Sequence, residues 1–124
     1  MYGYGMASTE GTLTNNGTIN LTNGGRGIMG ESGESFNNKD ATITITGTPN
    51  MQNSYGMSMQ DGTAKNFGQI DVTGGSVDSK TYGISVNGGN GLNHGLINMH
   101  SDNAFGLFDE GDGEITNVAG GTIN

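Results

Sequence analysis

One seven-residue phrase recurs along this chain. Asn15-Asn16-Gly17-Thr18-Ile19-Asn20-Leu21, Asn66-Phe67-Gly68-Gln69-Ile70-Asp71-Val72 and Asn93-His94-Gly95-Leu96-Ile97-Asn98-Met99 share the pattern N-x-G-x-φ-x-φ, where φ is apolar. Two looser copies complete the set: Asn38 leads into Ile43 and Ile45 with one extra residue, and Asn117 leads into Ile123 with two. The five asparagines Asn15, Asn38, Asn66, Asn93 and Asn117 lie 23, 28, 27 and 24 residues apart. That period is the length of a solenoid coil, in which each repeat buries its apolar face against the one before.

Composition points the other way until the repeat is taken into account. Only 31% of the 124 residues are hydrophobic, 25 are glycine, and the net charge is −8. A single globular core could not be built from so little apolar material. A stacked coil needs only a few inward residues per turn, shared with the turns above and below. Residues 1–124 therefore read as one segment of β-helix, expected to be a piece of a longer array.

A second phrase alternates with the first: Tyr4-Gly5-Met6, Arg26-Gly27-Ile28, Tyr55-Gly56-Met57-Ser58-Met59, Tyr82-Gly83-Ile84-Ser85-Val86 and Phe105-Gly106-Leu107. Its apolar residues recur at every second position, the period of a strand with one buried face. A third short segment precedes each key asparagine, as in Leu13-Thr14-Asn15 and Gly91-Leu92-Asn93. The expected fold is all-β: a right-handed, single-stranded parallel β-helix of about five coils with three short strands each. The right hand follows from the strong preference of parallel crossovers.

On one sheet the inward candidates are Ile19, Leu21, Ile43, Ile45, Ile70, Val72, Ile97, Met99 and Ile123. On another they are Met6, Ile28, Met57, Met59, Ile84, Val86 and Leu107. The repeated asparagine reads as a structural ladder, each side-chain amide bonding the one in the next coil. Glycine-closed corners recur at Glu10-Gly11, Ser32-Gly33, Asp61-Gly62, Gly88-Gly89 and Glu110-Gly111, while longer excursions, Thr46 to Ser54 and Thr73 to Thr81, leave the prism on one side.

Chemistry is sparse. Four basic residues, scattered, give a nucleic-acid backbone nothing to grip. Absence of cysteine excludes disulfides and thiolate sites. Eight of the twelve carboxylates lie near the glycine corners, densest at Asp109, Glu110, Asp112 and Glu114. Their hard oxygens suit calcium, the one cofactor worth weighing, although the spacing does not match an EF-hand loop. On the outward face of the third strand Asp71 stands alone among Asn20, Thr44, Asn98 and Asn124, and a lone carboxylate cannot act as both acid and base in glycoside hydrolysis. His94 and His100 have no carboxylate or cysteine spaced to make a triad or a metal site. The expectation is a protein without enzymatic activity.

Tyr55, Tyr82 and Phe105 begin equivalent strands and would stack in a column, with Phe67 and Phe108 displayed outward by the alternation. These five residues form the candidate binding surface, suited to a sugar ring or a protein partner.

The N-x-G-x-I-x-V phrase alternating with aromatic-Gly-Ile or aromatic-Gly-Met resembles the passenger domains of type V autotransporters, the surface adhesins of Gram-negative bacteria, over Tyr4 to Asn124. The resemblance implies an extracellular, outer-membrane-surface location, a role as a stalk or in attachment, and a host or bacterial protein or glycan as partner. Such a protein would meet the membrane only through a C-terminal barrel and would carry a signal peptide, so the 124 residues are expected to be an excised part of a longer array. The alternative is a filament subunit, because Ile123-Asn124 followed by Met1-Tyr2-Gly3-Tyr4-Gly5-Met6 would continue the repeat head-to-tail into a second copy.

Overall fold

The computed structural model describes residues 3–48 and 52–124. Fifteen short strands run through them: β1 Tyr4–Ser8, β2 Thr12–Asn15, β3 Thr18–Leu21, β4 Arg26–Gly30, β5 Glu34–Asn37, β6 Thr42–Thr46, β7 Ser54–Met59, β8 Thr63–Asn66, β9 Gln69–Thr73, β10 Thr81–Val86, β11 Asn90–Asn93, β12 Leu96–His100, β13 Ala104–Asp109, β14 Glu114–Asn117 and β15 Thr122–Ile123. Every third strand joins the same sheet. The first sheet is β1-β4-β7-β10-β13, the second β2-β5-β8-β11-β14 and the third β3-β6-β9-β12-β15, and all neighbouring pairs are parallel. The chain is a β-solenoid with three strands per turn, as the repeat requires.

Register follows the phrases closely. Ile19, Ile43, Ile70, Ile97 and Ile123 pair in one column of the third sheet. Met6, Ile28, Met57, Ile84 and Leu107 pair in one column of the first. Ile28, Ile43, Ile45, Met57, Met59, Ile70, Val72, Ile84, Val86 and Ile97 are buried in a single core, with Met6, Ile19, Leu21, Met99 and Leu107 packed against it nearer the two ends. Ile123, in the last rung, remains 38% exposed.

Two glycine columns let the sheets close on one another. In the first sheet a Cβ on Gly27, Gly56 or Gly83 would lie 2.4 to 2.6 Å from Cγ2 of Ile43, Ile70 or Ile97, so the isoleucine of the third sheet occupies the space a side chain would need. Glycine and the residue after it therefore both face inward, and the aromatic residue before it is turned outward. At the corner after the first sheet, a Cβ on Gly33, Gly62, Gly89 or Gly113 would lie 1.9 to 2.3 Å from the carbonyl oxygen of Gly11, Gly33, Gly62 or Gly89. Close stacking of backbone on backbone explains the constant glycine there. In the last coil the stacked residue is Gly113, two positions beyond the Gly111 that the sequence pattern suggested.

The second sheet supplies small inward groups. Ser35, Ala64 and Gly91 face the core in the middle rungs, with Leu13 and Ile115 at the ends. Methionine from the first sheet fills the space left by glycine nearby: Met59 Cε and Sδ lie 2.7 and 3.0 Å from a Cβ built on Gly30, and its Sδ 2.9 Å from one on Gly62. An unbranched thioether fills such an irregular gap well.

The asparagine ladder passes through Asn37, not Asn38. Asn15 pairs with Asn37 and Asn37 with Asn66 in the second sheet. Asn38 occupies the outward position of Asn16 and donates to its Oδ1 at 2.6 Å. Two residues, Lys39 and Asp40, are inserted before the next rung, in a turn closed by Ala41 N to Asn38 O at 3.0 Å, with Asp40 at φ 68°. The last coil repeats the device, with Gly121 N bonded to Val118 O at 2.8 Å and Gly120 at φ 93°.

Of the two long excursions, the first includes residues 49–51, which lie outside the described residues. The second ends in a narrow hairpin: Ser76 and Ser79 exchange backbone hydrogen bonds of 3.1 Å, leaving Val77 76% exposed at the tip.

Candidate binding surfaces

The outer face of the first sheet carries the aromatic column. Tyr4, Arg26, Tyr55, Tyr82 and Phe105 follow one another in register along the solenoid axis. The Tyr55 and Tyr82 rings stack with centroids 4.8 Å apart and planes 8° from parallel; Tyr82 and Phe105 stack at 5.3 Å and 16°. Arg26 lies over the other face of Tyr55, its guanidinium carbon 4.8 Å from the centroid. Phe108 packs edgewise onto Tyr82 at 5.1 Å and Phe105 at 5.3 Å. Both faces of Tyr55 and of Tyr82 are thus covered by their neighbours, and a ligand approaching these two rings from outside meets edges and hydroxyls.

Tyr82 is the most enclosed member, 5% exposed. Burial holds its phenol above the usual tyrosine range, and the nearby Tyr55 and Glu110 push it the same way.

Beside this column runs a groove of about 220 Å³. Arg26 and Tyr55 stand at one end, Met29, Ser58 and Ser85 along the middle, and Glu31, Gln60, Asn87 and Glu110 at the other. In that last group the carboxylates and amides follow the sheet register, so Gln60 and Asn87 separate Glu31 from Glu110. Negative charge is interleaved with neutral hydrogen-bonding groups, which spaces it out along the edge.

Of the five residues read from the sequence as a binding surface, the structure brings four together. Tyr55, Tyr82, Phe105 and Phe108 share the first sheet. Phe67 lies elsewhere, in the bend between the second and third sheets, 40% exposed and stacked on His94 at 4.6 Å and 10°. Arg26 belongs to the cluster by register, although a cation in an aromatic repeat position gave the sequence pattern no reason to include it.

The inner polar site is the ladder. Asn15, Asn37, Asn66 and Asn93 each donate from Nδ2 to Oδ1 of the next rung at 2.8 to 2.9 Å, ending on Asn117. The second N–H of each reaches a backbone carbonyl: Thr42 for Asn15, Gln69 for Asn37, Leu96 for Asn66 and Thr122 for Asn93, at 3.1 to 3.3 Å. Asn15 Oδ1 accepts from Gly17 N at 3.1 Å at one end, and Asn117 Nδ2 donates to Gly121 O at 3.0 Å at the other. Every amide points the same way, and both N–H groups of each interior amide are taken, on residues with no exposed surface to offer a ligand.

A shorter polar ladder decorates the outer face of the third sheet. Asn124 Nδ2 donates to Asn98 Oδ1 at 2.9 Å, Asn98 Nδ2 to Asp71 Oδ1 at 2.7 Å, and Gln69 Nε2 to Asp71 Oδ2 at 2.7 Å. Both oxygens of Asp71 are engaged by neighbouring amides. Among the described residues no three His, Cys, Asp or Glu side chains converge as metal ligands. Within the acidic run Asp109, Glu110, Asp112 and Glu114, Asp109 Oδ1 accepts from Gly111 N at 3.0 Å and Glu110 borders the groove. No protein-family model, curated protein or solved structure matches this chain.

Proposed function

We propose that this chain is a rigid, non-enzymatic attachment segment, of the kind found in surface-exposed autotransporter passengers. One observation carries the reading: the outer face of the first sheet gathers Arg26, Tyr55, Tyr82, Phe105 and Phe108 beside a polar groove, on a body whose interior ladder is fully satisfied. A stacked backbone supplies stiffness, and its outer face supplies contact groups. The resemblance of the two alternating phrases to autotransporter passengers supports an extracellular location and a protein or glycan on a host or bacterial surface as the partner. Beads coated with the chain should adhere to such cells above the level of uncoated beads; equal adhesion would refute the reading.

The filament reading also has an observation in its favour. The ladder has one direction throughout, so Asn117 of one copy and Asn15 of the next present a donor and an acceptor of matching sense. Leu13, Ile19 and Leu21 near one end and Met99, Leu107 and Ile115 near the other offer apolar rungs. Met1 and Tyr2, part of the join expected from the sequence, lie outside the described residues. Static light scattering that rises with concentration faster than for a monomer is the expected outcome of this second reading, and a constant molar mass would eliminate it.

A further inference from the structure

Building on the attachment reading, we propose that the groove running from Arg26 to Glu110 binds a short saccharide bearing a single carboxylate, with that carboxylate on Arg26. Aromatic stacking does not supply the recognition, because the faces of Tyr55 are covered by Arg26 and Tyr82. What the groove presents is hydrogen-bonding capacity. Ser58 and Ser85 lie along its middle, and Gln60, Asn87, Glu31 and Glu110 close its far end. Hydroxyls, amides and carboxylates that alternate over a short distance match a polyol, whose every hydroxyl both donates and accepts.

Arg26 selects the charge. Its guanidinium lies over Tyr55, which leaves the N–H groups in its plane free to meet a planar carboxylate. Among the described residues it makes no ion pair; its Nε is buried without a hydrogen-bond partner and out of a ligand's reach, so a carboxylate would meet its terminal N–H₂ groups. A ligand carboxylate would supply the missing counter-charge. The rest of the molecule limits how much charge the ligand can carry. A chain of net charge −8, with Glu31 and Glu110 at the far end of the groove, repels a ligand that is acidic along its whole length. One acidic sugar at the Arg26 end, followed by neutral sugars, is the pattern that fits. Five residues of strand separate Arg26 from Glu31, about 16 Å of span, so the ligand is longer than one ring.

Titration calorimetry and NMR shift mapping on the full chain test this with three probes: sialyllactose, lactose and trigalacturonate. Sialyllactose should bind and shift Tyr55, Ser58, Ser85 and Asn87, with lactose and trigalacturonate each about tenfold weaker or more. Arg26→Gln should reduce sialyllactose to the level of lactose, and Arg26→Lys, which keeps the charge without the planar fork, should fall between. Asn87→Leu should weaken sialyllactose and lactose alike. No binding of any probe, equal binding of sialyllactose and lactose, stronger binding of trigalacturonate, shifts mapping away from the groove, or an Arg26→Lys variant of wild-type affinity would each overturn the proposal. A melting curve on each variant separates loss of binding from loss of fold. Adding free sialyllactose to the bead assay distinguishes the two readings: adhesion that persists at saturation removes the groove and leaves attachment standing. Saccharide binding without any cell adhesion does the reverse.

Discussion

Asn66 Nδ2 donates to Asn93 Oδ1 at 2.8 Å, while Asn66 Oδ1 accepts from Asn37 Nδ2 at the same distance. Each interior asparagine thus completes two neighbours, and all three are fully buried. Replacing Asn66 by Leu removes the partner of Asn37 on one side and of Asn93 on the other. Each orphaned buried group costs about 1–3 kcal/mol, so the variant should lose roughly 2–6 kcal/mol in a urea titration. Asn66→Asp makes a sharper test. A carboxylate accepts from Asn37 but has no hydrogen to give Asn93, and burial raises its pKa because the charged form is the one penalised. Its folded state therefore holds a proton more tightly than its unfolded state, and this variant should become more stable as pH falls, while the wild type gains nothing from this site.

Gly95 and Gly17 hold the same place in the same phrase, yet their surroundings differ. A Cβ on Gly95 would lie 2.2 Å from Gly68 O, whereas one on Gly17 meets nothing within 4 Å. Backbone cannot yield as a flexible side chain can, so Gly95→Ala should cost about 1–3 kcal/mol or more, as overpacking of a close-packed site does. Gly17→Ala should be within about 0.5 kcal/mol of wild type, the usual range for an unobstructed surface change. Parallel melting curves of the two variants check this, and equal losses would mean that glycine is needed for its local conformation and not for coil stacking.

That contrast marks what the sequence discloses. Period and alternation were enough to place three parallel sheets and nearly every core residue, because the side chains of a solenoid repeat only if the coils stack in register. The choice between Asn37 and Asn38 was beyond them. Phe36 looks like an inward residue and is outward, packed under Lys65 Nζ at 5.5 Å from its ring centroid, while the inward neighbour is the small, polar Ser35. Counting from an apolar residue then selects the wrong asparagine. The groove was equally hidden, since Arg26, Ser58, Gln60 and Asn87 are unremarkable singly and come together only when their coils are stacked.

Tyr82 gives an alkaline signature. Its phenol titrates above the usual range when folded, chiefly through burial and then through Tyr55 and Glu110, while in the unfolded chain it returns to about 10. Above that pH the unfolded chain releases a proton that the folded chain retains, so unfolding is favoured increasingly until the folded phenol ionises too. The contribution is intact below pH 10 and is lost as pH rises toward the raised folded value. Urea midpoints measured from pH 8 to pH 11 should fall more steeply for the wild type than for Tyr82→Phe, which keeps the stack and has no proton to lose. Identical slopes would show that Tyr82 titrates normally.

Asp71 provides the last test, because it is the lone carboxylate on the outer face of the third sheet and its oxygens are held by Asn98 and Gln69 at 2.7 Å. A carboxylate bound in this way organises its neighbours, and a group serving as acid or base would need an oxygen free to meet a substrate. Asp71→Ala should therefore lower stability by about 1–3 kcal/mol, the value of hydrogen bonds to a charged group on a partly exposed surface, with bead adhesion unchanged. Asp71→Asn keeps one acceptor but must turn its new N–H₂ toward an amide donor, so it should fall between the alanine variant and the wild type. A loss of adhesion in Asp71→Ala without loss of stability would instead place the attachment surface on the third sheet, away from Tyr55 and Tyr82.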